Sequence, residues 1–196
     1  MSVFHTHAHG KLLLTGEYFV LDGALALALP VRYGQSLRVE SGIQSDTLTW
    51  TSRDHAGNTW FEAVYALPDL QLLSATDGGV ARTLAQILHA CRQQNPAFLA
   101  TSSAGVQVFT QNDFPREWGL GTSSTLIAAV AKWAGVDPYP VLFNTLGGSG
   151  YDLACAYADG PLTYRLLAQK PAIQPIKFAP SFSAYLKIQN TGKQKN

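Results

Sequence analysis

Pro115-Arg-Glu-Trp-Gly-Leu-Gly-Thr-Ser-Ser-Thr125 is the stretch on which the reading of this chain turns. Two closely spaced glycines let a backbone approach an anion, and the hydroxyls of Thr122, Ser123 and Ser124 follow at once. The apolar spacing of Leu126, Ile127, Ala129, Val130 and Trp133 predicts a helix over 123–134, stopped by Gly135. A glycine loop that opens a helix offers free N–H groups and so reads as an anion cradle. Taken alone, it reads equally as a Gly/Ser-rich helix cap. It is not a Walker loop, because no Gly-Lys-Ser/Thr is present. Nor is it a dinucleotide fingerprint, because Ser124 stands where the third glycine belongs and Pro115 and Trp118 replace a tight strand–turn.

Two further stretches carry chemistry. In Gly147-Gly-Ser-Gly-Tyr-Asp152 a glycine-rich turn presents a carboxylate, able to accept a proton, hold a cation or merely cap a helix. In His9-Gly-Lys-Leu-Leu-Leu-Thr-Gly-Glu17 a lysine enters an apolar strand and an acid leaves it across a glycine. Lys11 is either a snorkelling edge residue or a buried cation awaiting an anion.

Around these stretches the chain alternates its periods. Residues 3–14, 24–29, 36–41, 47–51 and 60–63 read as strands, with a turn over 54–58. Residues 77–95 carry Val80, Leu84, Ile87, Leu88 and Cys91 at helical spacing, with Asp77 as N-cap and Asn95-Pro96 as the stop. A strand over 105–109, a short helix after Asp137-Pro138 and a strand over 161–167 complete the pattern. Pro171, Pro175 and Pro180 then mark a linker, and 184–188 begins one more strand.

Composition narrows the function. The 196 residues are 46% hydrophobic with a formal net charge of +1, which excludes dominant disorder and gives no clustered basic face for nucleic acid. The longest apolar run, 24–31, is too short to span a bilayer. The N-terminus lacks a secretory pattern, so a cytoplasmic protein is expected, with Cys91 and Cys155 as reduced, buried thiols. His5, His7 and His9 share one strand face, as a polar edge or, less economically, an imidazole metal site. Trp50, Trp60, Trp118 and Trp133 read as packing, and Trp118 alone, inside the loop, is placed to border a nucleobase.

The order Lys-Leu-Leu-Leu-x-Gly-Glu, then Pro-x-x-x-Gly-Leu-Gly-x-Ser-Ser, then Gly-Ser-Gly-x-Asp resembles the GHMP small-molecule kinases over essentially the whole chain. Residues 10–31 look closest to the mevalonate and phosphomevalonate kinase branch, and Gly-Tyr-Asp-Leu-Ala (150–154) to the subgroup known by a Gly-Tyr-Asp-Ile-Ala signature. The resemblance implies an α+β fold, a mixed sheet with helices on one side, also known from a ribosomal-protein domain. It implies ATP-dependent phosphorylation of a hydroxyl or phosphate on a small metabolite, with Mg2+. Pro115, Gly119, Leu120, Gly121, Thr122, Ser123 and Ser124 would bind the nucleotide, and Ser123 the metal. Asp152 and Lys11 would be catalytic, and Glu17, Gly148, Ser149 and Gly150 would face the substrate. Lys11 and Asp152 are expected to face each other close to Ser123, with the pairing depressing the carboxylate pKa.

Two departures stand out. The magnesium-binding glutamate of mevalonate kinases has no counterpart in 139–145, where Asp137 is the nearest acid. The third glycine-rich motif, in a ferredoxin-like C-terminal domain, is missing. The expectation is a truncated kinase: an ATP-binding domain over 1–178 and the opening of a second domain over 179–196. Exposed apolar surface would then lie near 161–186 and favour a homodimer or other association. The alternative from a different class is an inactive nucleotide- or metabolite-binding remnant.

Overall fold

The computed structural model of the chain describes residues 2–100 and 104–181. Strand β1 (Ser2–Thr15) alternates, with Thr6, Ala8 and Gly10 inward and His5 and His7 outward. It pairs antiparallel with β2 (Ala26–Ser41), and the register shifts between His9 and Lys11. Gly10 occupies that irregularity because the chain is tight there: a Cβ would lie 2.9 Å from the Leu120 carbonyl oxygen and 3.1 Å from that of Tyr33. The shift aims Lys11 toward the loop that Leu120 belongs to.

A hairpin of β3 (Thr47–Arg53) and β4 (Thr59–Ala66) turns on Asp54, whose carboxylate accepts from the backbone of Ala56 and Asn58 at 2.9 and 2.8 Å. After β5 (Gln71–Ala75) comes α1 (Gly78–Gln94), capped as expected by Asp77, which accepts from Gly79 and Val80. Strand β6 (Val106–Asn112) leads to a single 3-10 turn at Arg116–Trp118 and then α2 (Thr122–Ala134). Two short helices, α3 (Pro138–Asn144) and α4 (Tyr151–Ala156), precede β7 (Leu162–Leu167) and β8 (Lys170–Pro175).

The eight strands form one mixed sheet in the order β5-β4-β3-β6-β2-β7-β8, with β1 on β2 and only β3–β6 parallel. Helices cover one face. Leu37, Leu48, Trp50, Phe61 and Val108 of the sheet meet Leu84, Ile87 and Leu88 of α1 and Ile127 and Val130 of α2. Each such side chain contributes about 1.5–3 kcal/mol on burial, so the α1–α2 layer is what fixes the start of α2 in space. The α+β expectation with helices on one side holds.

Two expectations need correction. The strands expected over 24–29 and 36–41 are one strand, because Pro30 sits opposite Lys11 at the register irregularity, where its missing N–H breaks no regular ladder. The supposed linker is β8, paired with β7 from Leu162↔Pro175 to Leu167↔Lys170. Pro171 and Pro175 are tolerated because β8 is an edge strand. Among the described residues, exposed apolar side chains include Leu167 and Ile173 within 161–181 and Tyr18, Phe19, Leu21 and Leu25 on the turn that adjoins Leu167 through Gly23. Strand β5 was not anticipated: its five residues are all exposed, so it has no inward alternation to read. The strand expected over 184–188, and with it most of 179–196, lies outside the described residues.

Both cysteines are buried free thiols, each pushed up to about 12 by that burial. His7 Nε2 lies 3.3 Å from the Asp113 carboxylate and His9 Nδ1 donates to the Val31 carbonyl at 3.1 Å. Among the described residues no group of three His, Cys, Asp or Glu is placed to hold a metal ion, and no helix is long and apolar enough to cross a membrane.

Candidate active site

Gly121 is the hinge of the site. It is the N-cap of α2 with φ 91°, a left-handed conformation that a side chain resists. A Cβ there would lie 3.4 Å from Lys11 Cε and 3.6 Å from Asp152 Oδ2. The glycine therefore stands between the cation of β1 and the acid of α4. Gly119, also left-handed at φ 70°, ends the 3-10 turn begun by Pro115. Lys11 holds this loop twice: its backbone N–H donates to the Leu120 carbonyl at 3.0 Å and its Nζ donates to that of Gly119 at 3.2 Å. Leu120 itself is buried.

Lys11 Nζ lies 3.9 Å from Asp152 Oδ1, an ion pair without a hydrogen bond, and 5.4 Å from the centre of the Tyr151 ring. Asp152 Oδ2 accepts from Ser124 Oγ at 3.1 Å, while Oδ1 is buried with no hydrogen-bond partner. It is Ser124, buried, that touches the acid; Ser123 is exposed at the helix start. Burial raises the Asp152 pKa above the ordinary carboxylate range, partly offset by the Lys11 charge and by the Ser124 and Tyr151 hydroxyls, with Glu17 adding to the rise. The expected depression is thus reversed. A single cation at 3.9 Å does not repay the loss of water around the buried Oδ1.

The Gly147–Gly150 turn acts from behind. Gly150, φ 82°, caps α4 where a Cβ would fall 2.9 Å from the Tyr139 ring, and the Ser149 carbonyl accepts from the buried Tyr164 hydroxyl. Both residues are buried; Gly148 and Glu17 are exposed. The cavity of about 690 Å³ over the loop is lined by Gly119, Gly121, Thr122, Ser123, Ser124 and Asp152, joined by Arg116 and Glu117, and does not reach 148–150. A second cavity, about 310 Å³, opens beside it between the sheet and α1, walled by Trp50, Trp60, Phe61, Leu84 and Ile87, with Thr122 and Ser123 at its mouth. Trp118 is not part of it and stands edge-on to Tyr33 at 5.6 Å. Sequence reasoning did not anticipate this apolar cavity, because its aromatics come from β3 and β4, remote in sequence from the loop.

No protein-family model matches the chain, and no curated protein matches its sequence. Solved structures do match its fold. The L. major mevalonate kinase in complex with R-mevalonate aligns at a TM-score of 0.62 and 19% identity, over 91% of this chain and 53% of that one. The Methanococcus jannaschii mevalonate kinase aligns at 0.63 and 14%, over 89% and 56%. A D-glycero-D-manno-heptose 1-phosphate kinase from Bacteriodes thetaiotaomicron aligns at 0.64 and 19%, over 89% and 60%. The fold is that of the N-terminal part of GHMP-type small-molecule kinases. The chain spans between about half and three fifths of the length of these relatives in fold.

Proposed function

We propose that this chain belongs to an ATP- and Mg2+-dependent small-molecule kinase, transferring a phosphoryl group to a hydroxyl or phosphate of a small metabolite of the mevalonate or sugar type. The observation that carries the reading is the buried Asp152 Oδ1, which accepts no hydrogen bond and faces Lys11 Nζ at 3.9 Å, at the helix start that Gly121 opens. A buried carboxylate oxygen left without a hydrogen bond is costly to keep unless a ligand uses it.

In this reading Asp152 receives the acceptor's proton. Its raised pKa makes it a better base than an ordinary carboxylate. Lys11 supplies positive charge beside the oxygen that loses that proton, and Tyr151, whose hydroxyl burial keeps protonated, walls the acceptor side. The N–H groups at the start of α2 receive the phosphates. Ser123 Oγ and Asp152 Oδ1 are hard oxygen donors that suit magnesium, with Glu117 lining the same cavity in place of the absent helix glutamate. When bound, MgATP supplies the phosphoryl group, which passes to the acceptor oxygen as the β–γ bridging bond breaks. The apolar cavity between Trp50 and Trp60 takes the base. Glu17 lies on the acceptor side, and Gly148, Ser149 and Gly150 serve by setting the position of Asp152.

Millimolar MgATP should raise the melting temperature of the chain; at a hundredfold excess over Kd the stabilisation is about 2.7 kcal/mol. An unchanged melting temperature would reduce the loop to a helix cap and end the proposal.

A further inference from the structure

We propose that Arg116 is the cation that grips the phosphorylated end of the nucleotide as it leaves the apolar cavity, and that Trp60 is the platform holding it there. The inference rests on nucleotide binding at the loop and adds to it the residue that joins the two cavities.

Arg116, Thr122 and Ser123 are shared by the linings of the apolar cavity and the loop cavity, and of these Arg116 alone is charged. Among the described residues no other lysine or arginine lines either one. Its guanidinium carbon lies 3.8 Å from the centre of the Trp60 ring, close enough to stack on the indole face. Stacking occupies one face of the planar group and leaves its N–H donors directed outward in the plane, the arrangement that suits a phosphate. The ion pairs among the described residues are His7–Asp113, Lys11–Asp152 and Arg38–Glu40, so Arg116 spends its charge on none of the chain's own acids, the adjacent Glu117 included. A guanidinium fixed by an aromatic ring has already given up much of its side-chain freedom, so less is lost on binding. Lys11, by contrast, is committed to the Gly119 carbonyl and to Asp152 at the far side of Gly121. The two cations thus bracket the loop from opposite ends.

The competing role for Arg116 is a clip that pins the 3-10 turn to β4 and touches no ligand. Charge on the ligand separates the two. Isothermal titration of the whole chain with adenosine and with MgATP gives a ratio of affinities that isolates the phosphate contribution. Arg116→Gln should weaken MgATP by about tenfold or more while leaving adenosine within about twofold. Arg116→Lys, which keeps charge and loses the planar stack, should fall between. Trp60→Leu should weaken both ligands, since Trp60 also walls the base cavity. It should also lower the MgATP-to-adenosine ratio in the wild-type background while leaving that ratio unchanged in the Arg116→Gln background, because Trp60 reaches the phosphates only through its cation. An unchanged ratio in Arg116→Gln, equal losses for both ligands, or unfolding of both arginine variants by circular dichroism would each overturn the role and leave a structural clip. A wild-type chain that binds neither ligand would instead remove the nucleotide reading itself, and this inference with it.

Discussion

At the scale of single residues, Asp152 is where solvation outweighs charge pairing. Its carboxylate is raised by burial and pulled back by Lys11 and by the Ser124 and Tyr151 hydroxyls. A carboxyl-labelled NMR titration should therefore find Asp152 above the ordinary carboxylate range, and Lys11→Met should move it higher still. A midpoint at or below the ordinary range would refute this account of its environment. The sign for stability follows from linkage. The folded state holds the proton more tightly than the unfolded chain, so the contribution of Asp152 is fully present below the unfolded pKa. It is lost as pH rises through the raised one. The stability of wild type relative to Asp152→Asn should accordingly fall with rising pH across that window, measured by denaturant melts at a series of pH values.

The same residue shows how far local reading reaches. Gly121, Lys11 and Asp152 were legible as a glycine, a strand lysine and a turn acid. The facing of the lysine and the acid was expected and is found, with Lys11 Nζ 3.9 Å from Asp152 Oδ1. The backbone devices that bring it about were not legible, because they are a register shift at Gly10 and the ring of Tyr139 beneath Gly150. The exchange of Ser124 for Ser123 beside the acid has a similar cause. A helix start turns about 100° per residue, so which hydroxyl faces inward is set by how α2 packs.

Among the elements, α1 and α2 form the layer that holds the site, and they are held differently. Helix α1 begins at a side-chain cap, Asp77, whose Oδ1 accepts from Gly79 at 2.8 Å and from Val80 at 3.1 Å. Helix α2 begins at Gly121 with no side-chain cap, which leaves its first N–H groups open. Asp77→Ala should cost about 1 kcal/mol, or roughly 2–4 °C in melting temperature for a chain of this size, with MgATP affinity retained. A loss of affinity without a loss of stability would contradict the division of labour between the two helices. The helices were readable from a 3.6-residue period and their stops. The edge strands β5 and β8 were not, since an edge strand pairs through one side of its backbone and tolerates exposed or proline-bearing sequence.

At the scale of the whole molecule, four exposed apolar side chains gather on the turn after β1. Tyr18 and Phe19 are each 69% exposed, with Leu21 at 55% and Leu25 at 60%. The turn is tied to β7 by Arg165 Nε, which donates to the Gly23 carbonyl at 2.7 Å, so Leu167 extends the same surface. Such a patch on a single chain invites association. The chain should bind a hydrophobic dye and self-associate in sedimentation, and Phe19→Ser with Leu21→Ser should reduce both while leaving the melting temperature within about 2 °C, as for surface changes generally. A monomer indifferent to the dye would place this surface among ordinary exposed side chains.

By itself the sequence determined the chemistry of the parts: a glycine loop opening a helix, a strand lysine, a turn carboxylate, an α+β pattern and the limits set by low charge. These are properties of short windows, carried by backbone freedom and hydrophobic period. Only the tertiary structure decided that Asp152 is raised and not depressed, that Arg116 lies on Trp60, and that Trp50 and Phe61 wall a cavity beside the loop. Solvation and stacking are sums over neighbours brought together from β1, β3, β4, α2 and α4, and no window of the chain contains that sum.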